Sequence, residues 1–148
     1  MATVYRHFPT PEALLETVAT PGFETPVSHA EHAPADGDAW TALRDFLFAA
    51  TDAVIADVSL SPGFAAPVNA PPHTSKLKQR LIALFGRLLD RAHAAGAADP
   101  GVTQADMVPL MCGEVYAANV HPAATAEDRA ANARRYLVVL LEGLRTRA

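Results

Sequence analysis

The sequence is poor in cysteine and in long apolar runs, and each shortage excludes a class of protein. Its one cysteine, Cys112, cannot form a disulfide within the chain, which argues against a small disulfide-linked secreted domain. The most apolar stretches, "LIALFGRLL" and "YLVVLLEGL", contain Arg87 and Glu142 and fall well short of the roughly 20 residues that a membrane-spanning helix needs. The start of the chain also lacks a signal-peptide pattern. We therefore expect a cytoplasmic location and no membrane partner.

The composition predicts a globular, mostly helical chain. Of the 148 residues, 50% are apolar, 7% are aromatic and 19% are charged, which suits a single domain with a substantial core and excludes a disordered or fibrous chain. The formal net charge of -4 gives no overall basic signal. It neither implies nor excludes binding to nucleic acid, because a small basic patch can lie on an acidic protein.

Apolar periodicity and capping residues predict five helices. Thr10 followed by Pro11 begins the short helix "PEALLETVA", and Asp38 can cap a second helix. A third helix ends near Gly96, Thr103 or its neighbour caps a fourth, and a fifth follows "HPAATAEDRA". The second and third helices repeat apolar residues at three- and four-residue steps, namely Trp40, Leu43, Leu47, Ala50, Val54 and Val58, then Leu77, Leu81, Leu84, Phe85, Leu88, Leu89 and Ala92.

Proline indicates where these helices are interrupted. Residues 21–38 contain three prolines and two glycines and are predicted to form a surface linker. Residues 59–75 contain four prolines and are predicted to be a long connection with at most one short helical turn. Pro109 lies inside the fourth segment and is expected to kink that helix or to delay its start.

The last predicted helix is too apolar to be covered by one side of a single chain. Seven of the nine residues from Tyr136 to Leu144 are large and apolar, which is more than one buried stripe requires. A second copy of the chain is the simplest covering surface. We therefore expect a homodimer formed through the last two helices.

The residues "TVYRHFPTPEALLETV" near the start resemble the end of the DNA-binding domain of TetR-family transcriptional regulators. In that family, a recognition helix ends in Thr, an aliphatic residue, Tyr, any residue, His and Phe, and a turn leads to a connecting helix. Thr3, Val4, Tyr5, His7 and Phe8 follow this pattern. The stretches "PLMCGEVYAANV" and "RYLVVLLEGLR" also look like the C-terminal part of actinobacterial-type members.

The resemblance implies an all-α fold and a role for the first residues. The expected architecture is a TetR-like C-terminal ligand-binding and dimerisation bundle over residues 38–148, preceded by a remnant of the helix-turn-helix domain over residues 1–20. Side chains at the end of a recognition helix bind phosphates rather than base edges. The resemblance implies this phosphate-binding role for Thr3, Tyr5, Arg6 and His7, whereas Val4 and Phe8 would be core residues of the small domain.

The chain departs from the family pattern at its start. Two helices and a turn, roughly 30 to 45 residues, would precede the recognition helix, and its base-reading first part is also missing. Either an internal methionine was taken as the start or the protein is truncated. Pro11 stands where many members carry a basic residue. We expect that the chain as given does not bind an operator by itself.

A pocket for a small-molecule effector is expected in the helical body. Methionine and aromatic side chains adapt to irregular apolar ligands, and residues 59–75 are the expected entrance. Glu114 lies in an apolar helix, where it either faces an arginine or solvent or contacts the ligand. The remaining candidates can equally be plain core, and the predicted ligand-binding residues are Phe64, Phe85, Met107, Met111, Glu114 and Tyr116.

Metal and catalytic sites find little support. The segment "HAEH" at residues 29–32 contains possible metal ligands, but it lies in the predicted linker and is interpreted as a solvated loop, so no metal and no cofactor are expected. Cys112 is expected to pack as a small apolar group. No nucleophile elbow, phosphate loop or dinucleotide fingerprint is present, so the protein is predicted not to be an enzyme.

The sequence thus favours a TetR-like, ligand-responsive transcriptional repressor that binds operator DNA only in its intact form. The alternative is a stand-alone helical dimer that binds a ligand or a full-length relative without touching DNA. The true N-terminus of the protein distinguishes the two hypotheses.

Overall fold

The computed structural model is all-helical over the residues it describes, which are Gly22 and residues 24–32, 37–56, 72–122 and 125–146. This confirms the predicted fold class. The helices are α1 (described at Gly22 and over 24–32), α2 (Ala39–Ala56), α3 (Pro72–Ala94), α4 (Gln104–Val120) and α5 (Ala126–Leu144). In these ranges, no helix is long and apolar enough to cross a membrane. The first predicted helix, the remnant assigned to residues 1–20 and most of the long connection lie outside the described residues.

Helix α1 corrects the prediction of a linker over residues 21–38. Helical structure is already present at Gly22, so Pro26 lies inside the helix, where its missing N–H removes one helical hydrogen bond. Residues three apart then share one side of the helix. The side that α1 buries consists of Pro26, Val27 and Ala30. Glu31 forms a salt bridge with Arg80 of α3, so α1 is attached to the body.

Helix α2 is the central element, because it packs on α3, α4 and α5. The predicted cap at its start is confirmed, since the Asp38 carboxylate accepts a hydrogen bond of 2.8 Å from the backbone N–H of Thr41. All described residues of the predicted apolar stripe are buried. They are Trp40, Leu43, Leu47, Ala50 and Val54.

Helix α3 begins earlier than predicted. The connection was expected to run to Ser75, but the helix starts at Pro72, where a fixed φ suits the first helical position and no N–H is needed. The helix ends at Ala94, and the predicted stop is confirmed at Gly96, whose φ of 65° is in the left-handed region that favours glycine. Its buried face carries Leu81, Leu84, Phe85, Leu88, Leu89 and Ala92.

Helix α4 begins ahead of its internal proline. Thr103 is the N-cap, and its backbone N–H and hydroxyl both donate to the Asp106 carboxylate, at 2.8 and 2.6 Å. The N–H groups of the first turn, Gln104 to Asp106, have no acceptor within the helix in any case. Pro109 comes after this turn, so the helix does not have to begin at the proline. The expectation that Pro109 delays the helix start is therefore wrong.

The chain end is attached to the rest of the body by a short backbone contact. Ala98 and Arg145 form an isolated antiparallel bridge, and the N–H of Asp99 donates to the carbonyl of Leu144 at 2.9 Å. The Arg145 guanidinium lies over the Trp40 ring, 5.2 Å from its centroid, a cation–π contact. These contacts connect the end of α5 to the α3–α4 connection and to the start of α2.

Candidate ligand-binding cavity

An apolar cavity of about 90 Å³ lies among α2, α3 and α4. It exists because α4 packs mainly on α5 and makes few contacts with either α2 or α3, which pack closely on each other. Its floor is formed by α2, which presents apolar residues at three- and four-residue steps. The lining comprises Phe46, Leu47, Ala50, Val54, Leu81, Ile82, Phe85, Gln104, Met107, Val108, Met111, Cys112 and Val115.

Aromatic packing fixes one end of the cavity. The rings of Phe46 in α2 and Phe85 in α3 are stacked, with centroids 5.8 Å apart and planes inclined by 26°, a favourable arrangement for two aromatic rings. The contact holds α2 and α3 together beside the cavity. Met107, Met111 and Val115 form the opposite wall at four-residue steps along α4.

The mouth of the cavity lies between α3 and α4. Ile82 and Val108 line the cavity and are partly exposed. Gln104, in the first turn of α4, donates from Nε2 to the backbone carbonyl of Ile82 at 2.9 Å. A methyl group on Gly86 would lie 2.8 Å from the Gln104 side-chain oxygen, so the amide rests directly against the backbone of α3. Gln104 thus joins the two helices across the mouth.

Sequence reasoning missed Gln104 because its position carries no signal. An exposed glutamine in the first turn of a helix is common, since glutamine is a good helix former. Only the placement of Ile82 and Gly86 opposite it, 22 and 18 residues earlier in the chain, gives it a partner. That pairing depends on how α3 and α4 cross and cannot be inferred from periodicity.

Of the six predicted ligand-binding residues, three line the cavity, two do not and one lies outside the described residues. Phe85, Met107 and Met111 are in the lining, and their role as ligand contacts stays a prediction. Tyr116 is 69% exposed and lies on the outer side of α4, because its position in the helix is turned away from Met107 and Met111. Phe64 lies outside the described residues, as does most of the predicted entrance.

Glu114 is buried behind the cavity wall, where it contacts α2. It is 6% exposed, and its Oε1 accepts a hydrogen bond of 2.8 Å from the hydroxyl of Thr51, which is itself fully buried. Its Oε2 has no hydrogen-bond partner among the described residues. The expectation that Glu114 faces an arginine or solvent is therefore wrong, because its position on α4 is directed at α2.

Burial changes the protonation of this carboxyl group. Loss of hydration raises the pKa of Glu114 to about 7, and the hydrogen bond from Thr51 opposes that rise in part. Arg134 of α5 pairs with Asp52 of α2 instead, since its guanidinium donates to both carboxylate oxygens at 2.8 and 2.6 Å. Burial likewise raises the pKa of the Cys112 thiol, which disfavours its nucleophilic thiolate form.

The outer faces of α4 and α5 carry exposed apolar side chains. Tyr116 is 69% exposed and Val139 is 68% exposed, whereas the apolar side chains of the core are almost fully buried. Gly113 and Gly143 have open space where a Cβ would be, so packing within the chain does not explain glycine inside either helix. The other large apolar residues exposed on these helices are Val108, Leu110, Val120 and Val138.

The "HAEH" segment belongs to α1 and is held by local contacts. The Nδ1 atom of His32 lies 2.7 Å from the carbonyl oxygen of Ser28, one helical turn earlier, and Glu31 pairs with Arg80. This corrects its interpretation as a loop. Across the described ranges, no group of three metal-ligating side chains comes together.

The predicted phosphate contacts Thr3, Tyr5, Arg6 and His7 lie outside the described residues. Their role rests on the sequence resemblance alone. The candidate functional surfaces in the described part of the chain are therefore the cavity and the outer faces of α4 and α5.

Comparison with known proteins identifies one family. Residues 38–146 match the family model described as "Transcriptional regulator SbtR-like, C-terminal domain". No curated protein matches the chain significantly. Among solved structures, the TetR transcriptional regulator SCO0520 from Streptomyces coelicolor is similar, with a TM-score of 0.66 and 27% identity over 99% of this chain and 81% of its own.

A second solved structure is similar in fold. It is the TetR family transcriptional regulator PfmR from Thermus thermophilus, with a TM-score of 0.61 and 21% identity. The alignment covers 99% of this chain and 80% of that protein. At this identity the likeness concerns the fold alone.

Proposed function

This chain belongs to the TetR family of transcriptional regulators, and we propose that its helical body binds a small-molecule effector and dimerises as part of a ligand-responsive repressor. The observation that carries this proposal is the apolar cavity among α2, α3 and α4. Ligand sites are typically concave, largely apolar and supplied with a few polar groups. This cavity has that character, with Gln104 at its mouth.

We propose that the outer faces of α4 and α5 form the dimer interface. Large apolar side chains exposed on the last two helices are covered when the same surface of a second copy packs against them. Glycine inside a helix is less favourable than alanine by roughly 0.5–1 kcal/mol, and no neighbour among the described residues requires glycine at 113 or 143. At a helix–helix contact, glycine lets the two backbones approach closely.

Helix α4 offers a physical route from ligand to dimer. One side of it lines the cavity through Met107 and Met111, and the other side carries Tyr116. A ligand that enlarges the cavity would favour a state in which α4 is displaced, and an interface that uses α4 would change with it. In an operator-bound dimer, two recognition helices must match successive major grooves, so such a change would weaken DNA binding.

The proposed contacts to DNA remain those implied by the resemblance. Thr3, Tyr5 and His7 would donate hydrogen bonds to phosphates, and Arg6 would add positive charge. Transcriptional repression places the protein in the cytoplasm, together with its operator. The partners we propose are therefore a second copy of the chain, operator DNA and a small-molecule effector.

Thermal unfolding in the presence of benzene tests the proposed cavity. Binding to the folded state alone stabilises a protein in proportion to the logarithm of one plus the ratio of ligand concentration to Kd. We expect millimolar benzene to raise the Tm of the wild-type protein in a saturable manner. Ala50→Leu, which adds three carbon atoms to the cavity floor, should abolish the rise. An equal rise in Tm for Ala50→Leu, or none for the wild type, would contradict the assignment of the cavity.

A further inference from the structure

We propose that Gln104 is the polar recognition residue of the cavity, and that the effector is a neutral, largely apolar molecule of about one ring that carries a single hydrogen-bonding group. This inference rests on the proposed role of the cavity as the effector site. Beyond that role, it specifies the chemical class of the ligand and the side chain that recognises it.

The lining argues against a charged ligand. No Asp, Glu, Lys, Arg or His is among the described residues that line the cavity. An ion moved from water into such a site would lose its hydration with no opposite charge to replace it. Glu114, the nearest buried carboxyl group, is not in the lining and is hydrogen-bonded to Thr51. The cavity therefore favours a neutral molecule.

Gln104 supplies the polar contact that the lining otherwise lacks. Its amide carries both donor and acceptor groups, and it is part of the cavity wall as well as of the mouth. Its present acceptor, the carbonyl of Ile82, lies inside α3, where it is also the acceptor for the helical N–H four residues later. When the amide turns towards a ligand, this carbonyl keeps its helical hydrogen bond. The Gln104 amide can therefore be transferred to a ligand without leaving a buried group unpaired.

The cavity size connects recognition to opening of the mouth. At about 90 Å³, the cavity is smaller than the engineered apolar cavity of about 150 Å³ that accepts a benzene ring. A ligand of one ring must therefore separate α3 from α4. The Gln104 side chain is the hydrogen-bonded connection between them at the mouth, so admission of the ring releases the amide beside it. A hydroxyl or carbonyl group on the ligand would then take the place of the Ile82 carbonyl.

Calorimetric titration with phenol and benzene tests this assignment, because the two molecules share a ring and differ by one hydroxyl group. The measured quantity is the ratio of the benzene Kd to the phenol Kd in each protein. We expect Gln104→Met, which keeps the length of the side chain and removes its amide, to lower this ratio about fivefold, as loss of one net neutral hydrogen bond would. Gln79→Met changes an exposed glutamine of α3 that is not in the lining, and should leave the ratio unchanged.

The outcomes separate this inference from the proposed function. If benzene binds the wild-type protein and Gln104→Met leaves the ratio unchanged, Gln104 is not the recognition residue and the cavity remains a ligand site. If the Gln79→Met control changes the ratio equally, the effect is not specific and the assignment of Gln104 is overturned. If neither molecule binds the wild-type protein, the cavity is not the effector site and both proposals fail.

Discussion

Replacing Glu114 by glutamine should stabilise the protein near pH 8 and have little effect near pH 5. The folded protein holds Glu114 with a pKa of about 7, raised by burial from an ordinary value of 4.5, whereas the unfolded chain exposes it to water. Between these values, folded molecules keep a proton that unfolded molecules have lost. The free energy of unfolding therefore falls as the pH rises through this window. Glutamine carries no charge, so the variant lacks this fall.

The size of the effect follows from the two pKa values of Glu114. One pKa unit corresponds to about 1.4 kcal/mol, so ionisation of Glu114 lowers the free energy of unfolding by on the order of 3 kcal/mol once the pH exceeds both values. The glutamine amide retains an oxygen for the Thr51 hydroxyl, and its NH₂ group replaces Oε2, which has no hydrogen-bond partner among the described residues. We expect Glu114→Gln to be more stable than the wild type by about 2–3 kcal/mol near pH 8.

The assay is urea denaturation followed by circular dichroism at a series of pH values and one fixed protein concentration, because unfolding of the proposed dimer would depend on concentration. Glu24→Gln is the control, since Glu24 is an exposed glutamate of α1, and this variant should match the wild type throughout the series. A stability difference between Glu114→Gln and the wild type that stays constant from pH 5 to pH 8 would refute the reasoning. So would a wild type that is the more stable of the two near pH 8.

Three further substitutions test this site, the core and a helix cap. Thr51→Val removes the hydrogen bond that lowers the pKa of Glu114, so its pKa should rise above about 7 and stability near pH 8 should fall by about 1–3 kcal/mol, measured in the same denaturation series. Leu137→Ala, at a fully buried position of α5, should cost about 2–5 kcal/mol in urea denaturation, and a cost under 1 kcal/mol would contradict the described core. Thr125→Ala removes the acceptor for the N–H of Asp128 at the start of α5 and should cost about 1 kcal/mol, seen as a lower Tm; an unchanged Tm would count against this cap.

The regular helices of the body could be predicted because their determinants are local in sequence. The stripe from Trp40 to Val54 and the caps at Asp38 and Thr103 depend only on residues within a few positions of one another. Gly96 ends α3 for an equally local reason, its positive φ. The family resemblance likewise rests on short segments of sequence.

The features that escaped prediction depend on contacts between distant segments. The partner of Glu114 is Thr51, 63 residues away, and no helical period indicates that a threonine of α2 faces that carboxyl group. Gln104 gained a role only from the crossing of α3 and α4. Helix α1 was missed because proline density was interpreted as a linker, whereas burial of Pro26, Val27 and Ala30 stabilises a helix there despite the proline.

Sedimentation equilibrium is the measurement that tests most directly whether this helical body is the dimerising unit of a regulator. We predict a species of twice the single-chain mass of 15.7 kDa, and dissociation to one chain in Val139→Glu, which places a charge on the exposed face of α5. Ala83→Glu, at an exposed position of α3, should remain dimeric. A wild-type protein that sediments as a single chain at micromolar concentration, or a Val139→Glu variant that stays dimeric, would contradict the proposed interface.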